Sequence, residues 1–565
     1  MRVTRSSRLA LATAAVTGCL ALTQPALAAR TGPAGVGRAG TEAASAEAAG
    51  AAAGLARGAG RGRTGAGSQR PAGAGGRLRT LLVTIRYQSV QDAVRAAPAA
   101  GRLAAGAPAA AGAPAAARPE QPAGITSYLA RTSRAFTARK NALLRRHPGA
   151  RALARYRMLP EFLVQVHGAA AARSLAADRG VLSAVPVAAH RLAAASLASR
   201  RHAPKHRAPG HRVPGHRAAA RRSTARQRPG AGHPAVRASQ ARAGQAGPGG
   251  SPADLALIND LAAQASGDRG AGTAVAVLDD GTNYHKAAFG RCSRPGVPGC
   301  RVLAYRDFAT PPRVGLSFTG HGTNVAGQVL KVAPDAALLV GNVFHKTAAG
   351  PVVSNADLMS GLNWVLTQAA RRSPAYSVRA VNMSLGDPFT YHQAWCGSSP
   401  FTGAFSQLLA VGIQPVVAAG NNAYQGTTFR AGISAPACAP GTLAVGAVFD
   451  SSYGRVTVSQ PGSRCTNPVT FADEITCFSQ GGPLVSLLAP GWNEDAAGVT
   501  KSGTSQATPL VTGAIAALAS GAMTRPTSQI VTAMRLAGHP VQDPRTGLLV
   551  PRLDVWAAEQ RLASG

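Results

Sequence analysis

From about Ser251 onward, uninterrupted apolar runs alternate with stretches whose apolar positions recur at helical spacing. Ala274-Val275-Ala276-Val277-Leu278 and Val416-Val417-Ala418-Ala419 contain no polar position, as strands buried on both faces do, while Asn324 to about Leu330 and Leu510–Leu518 read as helices. This alternation predicts an α/β fold over residues 251–565, a mainly parallel sheet with helices on both faces. Upstream, Leu81–Ile85, Phe162–Val166 and Val181–Val187 read as strands. Ile125 to about His147, with several arginines on its outer face, and Ala169–Ala177, ended near Gly180, read as helices. Together they predict a small α+β unit at 79–193.

The intervening segments have no such period. Residues 29–78 are an Ala/Gly/Arg tract, expected to be disordered. Residues 194–250 carry the pentads His-Arg-Ala-Pro-Gly and His-Arg-Val-Pro-Gly, starting at His206 and His211, in which proline blocks helix and glycine blocks persistent strand. An extended, solvated linker is expected there; the arginines beside its histidines repel cations and argue against a metal site. At the N-terminus, Arg2, Arg5 and Arg8 precede an apolar run from Leu9 to about Leu22 and the small-x-small site Ala26-Leu27-Ala28. This is the pattern of a secretory signal peptide over residues 1–28, and the run is shorter than the ~20 residues of a spanning helix. Val16-Thr17-Gly18-Cys19 offers the alternative of a lipid anchor at Cys19.

Composition changes the picture in one respect. The formal net charge of +37 suggests a polyanion binder, but residues 251–565 hold 21 basic and 17 acidic residues and residues 1–250 hold 39 and 6. A near-neutral second half suits a soluble folded domain, and the basic half is too poor in large apolar residues to bury much core. Beyond Cys19 there are six cysteines, Cys292, Cys300, Cys396, Cys438, Cys465 and Cys477, an even number in an exported chain. Six cysteines allow 15 connectivities, and the local scheme 292–300, 396–438, 465–477 needs the least loop closure. No CxxC pair points to a metal.

The chemistry gathers at element ends. Asp279-Asp280-Gly281 terminates one apolar strand and Gly420-Asn421-Asn422 another, and the carboxyl ends of parallel strands are where sites form. His321 opens a helical stretch, and Ser505 stands where a loop enters a helix whose first N–H groups have no partner within the helix. Each motif alone reads as a turn or a cap; the conjunction in the order Asp, His, Asn, Ser is the signal. That order is neither chymotrypsin's nor that of α/β-hydrolases.

On these motifs the chain resembles the subtilisin-like serine proteases. VAVLDDG is similar to the family's aspartate motif, HGTNVAG to its histidine motif, VVAAGN to its oxyanion motif, GTSQATP to its serine motif and VNMSLG at 381–386 to its substrate-binding strand. PEFLVQVHGAAAARSLAADRGVLSAVPVAAHRL resembles the end of a subtilisin-type inhibitory prodomain. The resemblance implies that Ser505 attacks the scissile carbonyl, His321 serves as general base and then acid, Asp279 orients the imidazole, and Asn421 with the Ser505 N–H stabilises the oxyanion. It further implies that Ser384, Leu385 and Gly386 form an edge strand for substrate, and that Ala418, Ala419 and Gly420 line an uncharged pocket favouring an apolar residue before the cut. The expected protein is a secreted, autoprocessed serine endopeptidase needing no cofactor, acting on proteins or peptides, bound by its own prodomain, without nucleic acid, as a monomer. The alternative is a non-catalytic surface protein holding anionic polymers through its basic half.

Two positions depart from the family pattern. Asp280 replaces the usual Ser or Thr, where it is expected to shift the pKa of its neighbour, and Asn324 stands where many members have a second His. The calcium-binding loop of many relatives has no counterpart in QVLKVAPDAALLVGNVF, so calcium is not carried over. Asp473-Glu474 and Glu494-Asp495 read as solvated loops, since Ca²⁺ needs 6–8 oxygens.

Overall fold

Leu338, Leu339 and Val340, like every residue of Thr273–Asp279, are buried, and a composition apolar but for Thr273 and Asp279 at the ends puts both segments in the middle of a sheet covered on both faces. The structure is a computed structural model that describes residues 77–88, 124–187, 189–191, 252–309, 316–348, 350–371, 376–520 and 525–564. The expected signal peptide, Cys19 and the His-Arg-Pro linker lie outside these residues, as does nearly all of the Ala/Gly/Arg tract. The described residues belong to one compact unit, Ala72–Gly565.

The N-terminal part contains β1 (Leu78–Ile85), α1 (Gly124–Arg146), β2 (Arg151–Ala154), β3 (Glu161–His167), α2 (Gly168–Ala176) and β4 (Val181–Pro186). Its four strands form an antiparallel sheet in the order β2-β3-β1-β4 around a core of Val83, Phe136, Phe162, Val164 and Leu175. β2 was not foreseen, because Arg151–Ala154 carries no strand-like alternation of apolar side chains. A short strand, β5 (Ala189–Arg191), leaves this sheet altogether.

The larger part begins with α3 (Pro252–Leu257) and α4 (Asp260–Ser266). It continues through β6 (Thr273–Asp279), β7 (Val302–Asp307), α5 (His321–Val332), β8 (Ala337–Asn342), β9 (Phe344–Thr347), β10 (Gly350–Ser354), α6 (Asn355–Ala370), β11 (Ser377–Met383), α7 (Thr402–Leu409) and β12 (Gln414–Ala418). Then follow β13 (Tyr424–Gln425), β14 (Thr428–Phe429), β15 (Leu443–Val448), β16 (Val456–Gln460), β17 (Ser463–Asn467), β18 (Leu487–Pro490), β19 (Glu494–Ala496), β20 (Val499–Lys501), α8 (Thr504–Leu518), α9 (Thr527–Ala537), β21 (His539–Gln542), β22 (Leu549–Arg552) and α10 (Val555–Ser564). Nine strands form the central sheet in the order β21-β22-β18-β15-β12-β11-β6-β8-β7, parallel except for the β21–β22 pair.

Alternation along β6 splits the interior. Val275 and Val277 join α5, α8 and α9 on one face, whereas Ala274, Ala276 and Leu278 join α6 and α7 on the other. The second cluster also takes in Leu82, Tyr128, Leu129, Tyr156 and Leu159, so the small N-terminal sheet and α1 sit on the α6–α7 face. Three disulfides close the local loops Cys292–Cys300, Cys396–Cys438 and Cys465–Cys477. Glu494 corrects the expectation of a solvated loop: it is 1% exposed, because the β19–β20 hairpin folds back over α5. Lys331 at the end of α5 pairs with Asp254 there and donates to the Asp495 carbonyl at 3.2 Å. Burial first, and the Asp254 charge next, push the Glu494 carboxyl well above the carboxylate range. Among the described residues, no helix is long and apolar enough to cross a membrane.

Candidate active site

The parallel register brings the motif residues to one edge of the sheet. Asp279 is the last residue of β6 and His321 the first of α5; their side chains meet through His321 Nδ1 and Asp279 Oδ1 at 2.8 Å. Both are buried, as is Ser505, the second residue of α8. Burial pushes the Asp279 carboxyl above its ordinary value and Asp280 adds to the rise, while His321 opposes it through charge and hydrogen bond. The close approach of α5 to β6 requires a glycine at 322, because a Cβ there would lie 2.0 Å from the Gly281 carbonyl oxygen.

Asp280 does more than perturb its neighbour. Its carboxylate accepts from Ser317 Oγ at 2.9 Å, Thr319 N at 3.0 Å and Gly322 N at 2.7 Å, and from the Thr319 hydroxyl. It thus gathers the loop entering α5 and caps the helix on which His321 stands, where Gly320 offers no capping side chain. Asp280→Ala is expected to lower kcat by about 10²-fold through displacement of His321, with KM little changed. Steady-state kinetics on a chromogenic peptide check this.

Around Ser505 the helix start is shaped by Pro509, which lacks the N–H that would otherwise bond the Ser505 carbonyl four residues back. That carbonyl instead accepts from Ser384 Oγ at 2.7 Å, and Ser505 Oγ donates to the Ser384 carbonyl at 3.2 Å. His321 Nε2 has no hydrogen-bond partner in this state, so the serine hydroxyl is turned towards Ser384 rather than the imidazole. Ser384, Leu385 and Gly386 follow β11 directly. They lie outside the ladders of the described residues.

Asn421 stands just past β12, and its Oδ1 accepts from Thr504 N at 2.8 Å and Thr504 Oγ1 at 2.9 Å, which ties it to the residue before Ser505. Thr504 Oγ1 also accepts from Gly420 N at 3.2 Å. Ala419 and Gly420 follow β12 directly and are buried, and the 434–435 segment links them to the stretch after β11: Ser434 N donates to the Ala419 carbonyl and Asp387 N to the Ala435 carbonyl, each at 2.8 Å. Asn324 donates to the carbonyls of Glu494 at 3.0 Å and Val499 at 2.6 Å and accepts from Gln506 at 3.1 Å, so it knits α5 to the β19–β20 hairpin and α8. Thr504, Gln506 and Pro509 carried no functional signal in the reading of the chain beyond their place in GTSQATP. Among the described residues, no group of three or more His, Cys, Asp or Glu is arranged to hold a metal ion.

A profile of the subtilase family matches residues 270–535. The "Thermostable alkaline protease" of Halalkalibacterium halodurans is 30% identical over 279 residues, covering 47% of this chain and 62% of that protein. The "Subtilisin" of Bacillus pumilus is 30% identical over 279 residues, covering 48% of this chain and 84% of that protein. The chain therefore spans about three fifths of the first relative and most of the second. The crystal structure of a cold adapted subtilisin-like serine proteinase is 23% identical, with a TM-score of 0.38, over 51% of this chain and 90% of that one.

Proposed function

This chain belongs to the subtilase family, and we propose that it is a secreted serine endopeptidase, made as an autoprocessed precursor, that cuts proteins or peptides with Asp279, His321 and Ser505. The observation that carries the reading is the buried 2.8 Å Asp279–His321 hydrogen bond at the head of α5, a helix packed against α8, whose second residue is the buried Ser505. Rotation of the serine side chain about χ1 would exchange the Ser384 carbonyl for the unpartnered His321 Nε2. Nε2 then takes the Oγ proton as Oγ bonds to the scissile carbonyl carbon, Asp279 balances the imidazolium, and the same proton passes to the leaving amine. Water repeats the sequence on the acyl-enzyme. The Asn421 side-chain amide and the N–H of Ser505 are the donors for the oxyanion. Hydrolysis of casein by the secreted protein, together with shortening of its own chain on a gel, tests the reading; an intact chain without hydrolysis contradicts it.

We assign the 79–193 unit as an inhibitory prodomain. Its support is a polar and apolar contact surface with α6 and α7: Tyr156 Oη donates to the Ala356 carbonyl at 3.1 Å, Met158 N to Asn363 Oδ1 at 2.9 Å, and Gln407 Nε2 to Thr132 Oγ1 at 3.0 Å. β5 adds antiparallel to β10 through Val352–Arg191 and Ser354–Ala189 pairs, as an extended peptide adds to a sheet edge. Glu161, whose carboxyl burial pushes up to about 8 against the opposing charge of Lys140, lies over Gly403 near the start of α7. A Cβ on Gly403 would fall 2.3 Å from Glu161 Oε1 and 2.8 Å from Pro160. Gly403→Ala is therefore expected to weaken inhibition of the mature enzyme by the separate 79–193 unit roughly tenfold or more, without lowering kcat. Inhibition constants for both enzymes check this, and failure of the unit to inhibit either one would refute the assignment. Export and the route of maturation rest on the signal-like N-terminus and the three disulfides.

A further inference from the structure

Beside the edge strand β7, the small N-terminal unit and the larger part enclose a cavity of about 490 Å³. The connection from β2 to β3 forms one wall and carries Arg155 and Arg157 on either side of the buried Tyr156. The opposite wall is Arg306, Asp307 and Phe308 at the end of β7, with Asn363 and Trp364 of α6. Tyr156 Oη donates to the Ala356 carbonyl and Met158 N to Asn363 Oδ1, so the backbone that carries the two arginines is fixed against α6.

Three guanidinium groups here meet a single carboxylate. Asp307 Oδ1 already accepts from Asn342 Nδ2 at 2.9 Å and from the Tyr305 hydroxyl at 3.2 Å. Arg155 donates to Asn141 Oδ1, whereas the guanidinium groups of Arg157 and Arg306 form no hydrogen bond or ion pair among the described residues. Arg306 instead lies over the Phe308 ring, 5.3 Å from its centroid, and that ring meets Trp364 edge-on, which holds the guanidinium at the cavity wall. Asn363 adds a neutral donor: with Oδ1 taken by Met158 N, its Nδ2 is the group left to serve a ligand. Like charges brought together across an interface repel, and planar guanidinium forks match the oxygens of phosphate and carboxylate two at a time.

We infer that this cavity is a site for a small multivalent oxyanion, phosphate or a tricarboxylate, held by Arg157 of the N-terminal unit, Arg306 of the larger part and the Asn363 amide. The ion neutralises the excess positive charge and bridges the two parts, so its binding and their association strengthen each other. Asp279, His321 and Ser505 do not line the cavity, so binding here does not require hydrolysis.

The test uses the full-length chain carrying Ser505→Ala, in which the N-terminal unit stays joined, titrated calorimetrically with inorganic phosphate or citrate against sodium chloride of equal ionic strength. One saturable site is expected above the diffuse uptake by the arginines of residues 1–250, and the anion that binds more tightly identifies the source. Arg157→Gln and Arg306→Gln should each weaken that site roughly tenfold or more, as loss of a charge-assisted hydrogen bond does. Arg455→Gln, which removes the same charge from the start of β16, should leave it unchanged. The bound anion should raise the melting temperature of the parent and not that of the Arg157→Gln/Arg306→Gln double variant. In chloride alone the double variant should melt no lower than the parent, which shows that it folds. Absence of a saturable site, or equal binding by the Arg306→Gln and Arg455→Gln proteins, overturns the inference; the second result assigns the uptake to the basic N-terminal segments.

Discussion

Replacing Ser505 by alanine is expected to lower casein hydrolysis by about 10⁶-fold, the magnitude that loss of the nucleophile causes in a subtilisin, and to stop the chain from shortening itself. The two effects go together because one hydroxyl serves both reactions. Ser505 is buried and Ala is smaller, so the helix start should persist: Thr504 N remains on Asn421 and the Ser505 carbonyl remains the acceptor of Ser384 Oγ, both through groups the substitution leaves in place. A melting temperature near that of the wild type, beside lost turnover and a full-length precursor on the gel, is the expected combination. Self-shortening that continues in this variant would assign maturation to another protease.

Asp279→Asn should cost about 10⁴-fold in kcat, the scale seen when a triad carboxylate is replaced by its neutral isostere. The amide can still meet His321 Nδ1, but its N–H₂ favours the tautomer with the proton on Nε2, which cannot accept from Ser505 Oγ. The geometry is otherwise held by groups outside the substitution, above all Asp280, whose carboxylate binds the Thr319 and Gly322 N–H groups. Stopped kinetics with an unchanged KM is expected; a fall of less than tenfold would mean that Asp279 does not set the tautomer.

Much of the central sheet was legible because its strands are buried on both faces and carry no polar position, as Thr273–Asp279 and Gln414–Ala418 do save at their ends. Asp279, His321, Asn421 and Ser505 were legible as a set because each stands where an apolar run stops or a helix begins. The local disulfides followed from the small loops they close. What depended on distant partners was not legible. Asp280 suggested only a charge effect on its neighbour, since the loop it organises lies about forty residues on. Glu494 looked like part of a solvated turn, because nothing in GWNEDAAGVT tells that this hairpin packs over α5 beside Lys331 and Asp254. β5 ends the small N-terminal unit in sequence yet pairs with β10, more than 150 residues away.

The central claim is that Ser505 is a nucleophile activated by His321. The most direct measurement is treatment of the matured protein with an organophosphorus fluoridate, followed by mass spectrometry of its peptides. The account predicts one phosphoryl adduct on Ser505, formed in step with loss of casein hydrolysis and absent from a His321→Ala variant. An active enzyme whose adduct falls on another residue, or that takes up none, would contradict it.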